Sequence, residues 1–271
     1  MGHMDNQDKD LIKFLGTAGA RFVVAKQLRS SAGVFIRFLG KNIILDPGPG
    51  TLVKCATSKP PIDVSKIDSI ILTHAHIDHS TDVNVMIDAM TSGGLKKRGI
   101  LFATGESLSG DNSVVLNYLR TFLEDIVTLR ENERYNIGDL QFETSIRHNH
   151  QAETYGIRFN LPNQDISFMV DTKYFPGLIE SYKNSDILIM NVVRYTPHEK
   201  GEVLHLCVED VKEILRKIKP KKAIMTHFGM TMLKAKPWEL AKRLSEEFDV
   251  EVVCATDGMK IEVGNRFKNK G

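Results

Sequence analysis

Cysteine is scarce in this chain, with Cys55, Cys207 and Cys254 the only three in 271 residues. They lie far apart and make no CxxC pair, so the sequence offers no disulfide framework. An odd, sparse set reads as buried reduced thiols, with the cytoplasm as the expected compartment. Long apolar runs are missing as well. None approaches the roughly 18 residues that a membrane span requires, and no signal peptide precedes the first expected strand. Neither sign of charge is in excess: 36 Lys and Arg stand against 34 Asp and Glu, a net charge of +2. A protein that grips a long nucleic acid through its phosphates carries a basic stripe. The composition points away from that mode and leaves a short or end-on nucleotide compatible. No Gly/Ser linker or low-complexity tract divides the chain. The opening Met1-Gly2-His3-Met4 reads as a cloning scar with Met4 the natural start, so His3 is set aside from any site. Residues 5–271 are expected to form a single domain of two similar halves.

What is present is ordinary globular composition, 42% hydrophobic and 26% charged, in a chain long enough to bury a substantial core. Short apolar runs bounded by turn residues predict strands over Leu11 to Leu15, Val34 to Leu39, Asn42 to Leu45, Ser69 to Leu72 and Ile100 to Ala103. A second half, starting near Gly138, predicts strands at Leu140 to Ser145, Thr154 to Phe159, Ile166 to Val170 and Ile187 to Met190. Ala223 to Met225, Val250 to Cys254 and Met259 to Val263 complete it. Helical spacing appears after His79, through Val83, Ile87 and Met90 to a stop at Gly93-Gly94, and again over Val114 to Phe122, Val208 to Ile218 and Trp238 to Phe248. Helices segregated outside two sheets make this α/β, as a four-layer αβ/βα sandwich.

The chemistry concentrates in Thr73-His74-Ala75-His76-Ile77-Asp78-His79, directly after the strand Ser69 to Leu72. Three imidazoles and a carboxylate at a strand end can face one point, which suits a divalent transition metal. Further titratable groups recur just past short apolar strands: His150, Asp171 and His227. A lone histidine in such a place is usually structural; the recurrence at strand ends, where α/β folds assemble sites, carries the argument.

In this order, HxHxDH followed by His, Asp and His, the chain resembles the metallo-β-lactamase superfamily from Leu11 to Val263. Asp46, in Leu45-Asp46-Pro47-Gly48-Pro49-Gly50, matches the first motif and His74 to His79 the second. His150 to Gly156 matches the third, Val170-Asp171-Thr172 the fourth and Thr226-His227-Phe228-Gly229 the fifth. The resemblance implies a metallo-β-lactamase fold and two divalent metal ions, with zinc expected first and manganese or iron as alternatives. It assigns His74, His76 and His150 to one metal and Asp78, His79 and His227 to the other, with Asp171 bridging and Asp46 orienting the ligand loop by hydrogen bonds. His148 competes with His150 for the third motif; the spacing to Tyr155-Gly156 selects His150 and leaves His148 as a surface or site-adjacent group.

His205, just before the helix that leads to His227, is similar to a histidine of the ribonuclease Z and phosphodiesterase-like branch, where it assists phosphate-ester cleavage. Asp171 departs from the antibiotic-degrading lactamases, which place Cys at that motif. Only 20 residues separate His150 from Asp171, which leaves no room for the tRNA-binding arm of long-form ribonuclease Z. The loop Gly16-Thr17-Ala18-Gly19 reads as a tight strand-to-loop turn, with a phosphate cradle through its amides as the weaker alternative and Arg21 beside it as a phosphate contact or a surface charge. The expected function is a binuclear phosphodiesterase acting on a small nucleotide or a nucleic-acid end with hydroxide generated at the metals, Asp78 and His205 being the catalytic residues. Alternatives are a carbonyl hydrolase for a thioester, lactone or lactam, an iron redox enzyme, and a non-catalytic binding module. No membrane partner is expected, and a homodimer is the assembly to test.

Overall fold

Short apolar runs become strands because a pleated segment buried on both faces wants continuous Ile, Leu, Val and Phe. The first such runs give β1 (Leu11–Phe14), β2 (Val34–Phe38), β3 (Lys41–Leu45), β4 (Ser69–Leu72), β5 (Ile100–Thr104) and β6 (Asp125–Leu129). Further on come β7 (Arg134–Ile137), β8 (Leu140–Arg147), β9 (Tyr155–Leu161), β10 (Gln164–Met169) and β11 (Ile187–Arg194). The last are β12 (Leu206–Cys207), β13 (Lys222–Thr226), β14 (Glu251–Cys254) and β15 (Lys260–Glu262). This computed structural model describes residues 9–19, 21–198 and 203–264; the expected scar over Met1 to Met4 lies outside the described residues. Among those residues no helix is long and apolar enough to cross a membrane.

Two sheets form. One has the order β15-β1-β2-β3-β4-β5-β6, the other β14-β13-β11-β10-β9-β8-β7 with β12 added against β11. Both follow the same pairing rule. From β15 to β3, and from β7 to β10, successive pairs are antiparallel; from β3 to β6, and from β10 to β14, they are parallel. The change of sheet falls between Leu129 and Arg134, ahead of the expected Gly138. The sequence reading missed β6 and β7, and β15 returns from the far end of the chain to join the first sheet.

Three apolar layers separate four structural ones. Phe14, Phe38, Phe142, Phe159, Ile189 and Ile224 fill the space between the sheets, with Phe38 and Phe159 edge to face at 5.2 Å. On the outer face of the first sheet, Val83, Met86, Ile87 and Met90 of the helix Val83–Met90 pack with Cys55. On the outer face of the second, the helices Gly177–Tyr182, Val208–Ile218 and Pro237–Phe248 cover the strands. The fold is the expected four-layer sandwich. The three cysteines are free, and burial pushes the Cys55 thiol up to about 12 and that of Cys207 to about 11, as expected for unreactive thiols.

One expected helix is mostly absent. Of Val114 to Phe122 only Asn117–Arg120 is helical. The Asn84 side chain donates to the Val114 carbonyl at 2.8 Å and accepts from the Leu116 amide at 2.9 Å, so that stretch is held open before a helix can start.

Gly156 shows how tightly β9 is seated. A Cβ there would lie 1.7 Å from the Tyr182 hydroxyl oxygen and 2.6 Å from the Phe168 carbonyl oxygen. Neither can retreat, since Tyr182 is fully buried. Gly156→Ala is expected to cost about 1–3 kcal/mol and lower the melting temperature by several degrees in a thermal scan. Adding Tyr182→Phe should recover only part of the loss, because the carbonyl clash remains.

Candidate metal centre

The site residues gather along one edge of the sandwich, at the C-terminal ends of central strands from both sheets. Asp46 follows β3 and the run His74 to His79 follows β4. His150 comes shortly after β8, Asp171 after β10 and His227 after β13, while His205 precedes β12. The first sheet thus supplies His74, His76, Asp78 and His79, and the second His150, Asp171 and His227. Among the described residues three groups offer one donor atom per residue with those atoms within 4.8 Å of one another; setting aside the one with Asp46, they are His74, His76, His150 and Asp171, and Asp78, His79 and His227. These are the two sets expected from the sequence, with Asp171 reaching both. Its Oδ2 lies 3.8 Å from His74 Nε2, 3.9 Å from His150 Nε2 and 3.4 Å from His79 Nε2, and its Oδ1 lies 3.4 Å from His227 Nε2.

The donor atoms fit divalent cations. Buried polar atoms in a folded protein are almost always hydrogen-bonded, yet His74 Nε2, His79 Nε2, His227 Nε2 and Asp78 Oδ2 are buried with no hydrogen-bond partner. His76 Nδ1 and His150 Nε2 sit 3.0 Å apart, so two ring nitrogens must share either a proton or a cation. The backs of the rings are tied. His74 Nδ1 is 3.0 Å from Thr73 Oγ1, His79 Nδ1 is 2.9 Å from Asp46 Oδ2 and His150 Nδ1 is 3.1 Å from the Leu204 carbonyl oxygen. Such contacts fix the ring and leave the front nitrogen bare, the arrangement that metal-ligating histidines need. Nitrogen and carboxylate donors without thiolate suit zinc, manganese or iron.

Asp46 also lies close to His74 and His79, but its oxygens are committed elsewhere. It accepts from the Thr73 amide and the Thr73 hydroxyl, each at 2.7 Å, and contacts His79. It therefore braces the ligand loop from behind.

Charge follows the same plan. Burial holds His74, His76 and His150 below the ordinary imidazole value, and neighbouring imidazoles push the same way. Burial also acts against a charged His79, but Asp78 and Asp171 outweigh it and hold that ring well above the ordinary value. The carboxylates that favour a proton there favour a cation in its place. Burial would raise Asp171; His227, His205 and His79 overcome it and keep the carboxyl well below the usual carboxylate range, so it stays anionic.

Backbone geometry is strained at two site residues. Asp46 and His227 have φ of 50° and 58°, the left-handed region that costs a non-glycine residue about 1–3 kcal/mol. Glycines stand behind them. A Cβ on Gly33 would meet the Asp46 carbonyl oxygen at 2.3 Å, one on Gly19 the His227 carbonyl oxygen at 2.3 Å, and one on Gly48 the Asp78 carbonyl oxygen at 2.1 Å. This favours the tight-turn reading of Gly16 to Gly19 over the phosphate cradle. The Thr17 and Ala18 amides donate to the Ser30 carbonyl and the Gly19 amide to that of Phe228. Two of those amides are thus spent within the neighbouring loop and the third beside His227.

His148 is not on the surface. It is 2% exposed, with Nδ1 3.1 Å from the Asp171 carbonyl oxygen and Nε2 2.7 Å from the Tyr182 hydroxyl. The Nδ1 proton therefore goes to the carbonyl and Tyr182 donates to Nε2. Burial lowers its pKa to about 4. Three supporting groups escaped the sequence reading. The motif match gives Thr73 no role, nothing local marks Tyr182, and Asn191 donates to Asp171 Oδ1 at 2.8 Å. Asn191 had a signal: a lone amide in the apolar run Ile187 to Val193 must have a buried partner.

Two outcomes follow. Asp46→Asn keeps the shape but replaces one acceptor oxygen with a donor, so it should weaken metal binding by about 10–100-fold in a chelator competition titration, with the far-ultraviolet circular dichroism unchanged. For His148, the unfolded chain takes up a proton near pH 6.5 and the folded protein only near pH 4. Its contribution to stability is therefore present above pH 6.5 and lost as pH falls toward 4, on the order of 3 kcal/mol. Denaturant unfolding of metal-free protein between pH 7 and 4.5 should show a shallower fall in His148→Gln than in the wild type.

Comparison with known proteins gives the family and the fold. The profile of the family described as "Beta-lactamase superfamily domain" matches residues 41–228. An uncharacterized protein of Methanocaldococcus jannaschii is 30% identical over 263 residues, covering 94% of this chain and 95% of its own. A ribonuclease Z of Borrelia garinii subsp. bavariensis is 25% identical over 318 aligned positions, covering 94% of this chain and 98% of its own. Among solved structures, the metallo-β-lactamase fold protein YhfI of Bacillus subtilis superposes with a TM-score of 0.77 at 18% identity, covering 94% of this chain and 100% of that one. The chain belongs to the beta-lactamase superfamily, with the metallo-β-lactamase fold, and is a metal-dependent hydrolase.

Proposed function

We propose that this hydrolase cleaves a phosphodiester, in a small nucleotide or at a nucleic-acid end, at a binuclear centre held by His74, His76 and His150 on one side and Asp78, His79 and His227 on the other, with Asp171 shared. The observation that carries the phosphate reading is His205. Its Nδ1 is buried 3.7 Å from Asp171 Oδ2, and its side chain is 14% exposed. Burial holds its pKa below the ordinary imidazole value, opposed by Asp171. The ring stands beside His150 and His227, with centroids 5.1 and 6.4 Å away.

Bound divalent cations supply Lewis acidity there, stabilising charge on phosphoryl oxygens and acidifying water. The protein's own groups do the rest. Asp78 Oδ2, unpartnered and 3.4 Å from His227 Nε2, accepts a hydrogen bond from the attacking water and orients it. Asp171, braced by Asn191, keeps the two histidine sets at a fixed separation. His205 gives its proton to the departing oxygen from its imidazolium form, which the Asp171 carboxylate 3.7 Å from Nδ1 favours against burial.

The branch with a protruding tRNA arm fits poorly. The place for that arm is taken by a hairpin in which Leu161 pairs with Gln164, leaving two residues in the turn. The Borrelia ribonuclease Z alignment spans 318 positions against 271 residues here, so that relative carries additional segments. A short diester or a strand end is the substrate class that the reading favours.

Protein loaded with zinc or manganese should hydrolyse bis-(p-nitrophenyl) phosphate and nucleotide diesters. Asp78→Ala should reduce turnover by at least about 10³-fold, and His205→Ala by about 10²–10⁴-fold, most strongly for poor leaving groups. Inactivity on diesters with either metal counts against the proposal. Fast hydrolysis of a thioester or lactone that His205→Ala leaves intact would move the assignment to a carbonyl hydrolase.

A further inference from the structure

A second cavity opens between β1, the end of the helix Thr51–Thr57 and the turn before β15, with a volume of about 270 Å³. Three lysines line it: Lys13, Lys54 and Lys59. Lys13 as a residue is 9% exposed, and its ammonium is part-buried with no carboxylate beside it among the described residues. Among those residues its side chain makes one hydrogen bond, to the Lys59 carbonyl oxygen at 3.4 Å, the long limit of such a contact, while an ammonium carries three donors. Among the described residues none of the three lysines forms an ion pair with a carboxylate. Burial and the nearby Lys260 both disfavour the Lys13 charge.

The cavity holds one acid, Asp257, and it is spent. One oxygen accepts from Thr17 Oγ1 at 2.7 Å and the other from the Ser30 amide at 2.6 Å. The Thr57 and Ser58 hydroxyls donate back to the Val53 and Lys54 carbonyls. Three lysines against one committed carboxylate leave the lining net positive, around a space large enough for a phosphate with part of its ester group.

We infer that this lysine-lined cavity is an anion site for a phosphate group, separate from the metal centre. The two are neighbours through one loop: Leu15 borders the lysine cavity, while Gly16 and Thr17 border the space beside Asp46, Asp78 and His227. The phosphate belongs either to a substrate chain whose scissile bond sits at the metals or to a free phosphorylated ligand. The site itself does not depend on what the metal centre hydrolyses.

Lys54 and Lys59 are exposed, so Lys54→Gln/Lys59→Gln is expected to fold normally. The probe is inorganic phosphate at 10 mM, added to metal-loaded protein, with sodium chloride of matched ionic strength as control. Wild type should gain about 2–4 °C in melting temperature and the double variant less than a third of that. An equal gain in both places all phosphate at the metals and overturns the proposal, as does no gain in wild type. An equal gain with chloride reduces the effect to charge screening and overturns it too. Kinetics then identify the source. A severalfold rise in KM for a short oligonucleotide, with kcat and bis-(p-nitrophenyl) phosphate turnover unchanged, marks a substrate phosphate; an unchanged KM marks a free phosphorylated ligand.

Discussion

Buried imidazole and carboxylate atoms that face one another without hydrogen bonds are the constraint on which the rest of this structure depends. His74, His79, His227 and Asp78 each present an unpartnered buried atom to the same small region. Left alone, such groups are costly, because each loses water without gaining a partner. The two sheets and their inter-sheet core provide the rigid frame that forces them together. Four donors come from the first sheet and three from the second, so a cation there would clasp the sandwich along the edge where the sheets meet, and its binding free energy would become folding free energy.

The groups behind the donors matter as much as the donors. Asp46 accepts from Thr73 twice and holds His79, the Leu204 carbonyl oxygen engages His150, and Asn191 holds Asp171. Backbone does similar work. Three glycines let neighbouring segments press against the carbonyls of Asp46, Asp78 and His227, which keeps two left-handed residues from relaxing. His148 and Tyr182 tie the segment that carries His150 to the one that carries Asp171.

Much of this was legible in the sequence because the signals were local. His74 to His79 is a dense run after an apolar strand, and Val208–Ile218 has an apolar face at helical spacing. Long-range partners left no such trace. Nothing near Val114 announces that Asn84, some thirty positions earlier, captures its carbonyl. The strand Asp125–Leu129 begins with exposed and half-buried positions at a sheet edge, so its pattern was weak. His148 looked like a spare beside His150 because its partner, Tyr182, lies 34 residues on. Gly19 could be read as an amide donor to a phosphate, whereas its meaning is close approach to His227, more than two hundred positions away.

The matching pairing rule of the two sheets has a consequence for where the acids stand. Counted from their antiparallel ends, β3 and β10 stand at the same place, where each sheet turns from antiparallel to parallel. Asp46 follows one and Asp171 the other. The two acids thus hold matching positions in their sheets, one turned back to steady the loop His74 to His79 and the other turned into the cluster. The strand equivalent to β7 in the first sheet is β15, delivered from the opposite end of the chain. The edge of the first sheet is therefore closed by the last described strand, so that sheet is complete only once both ends of the chain have met.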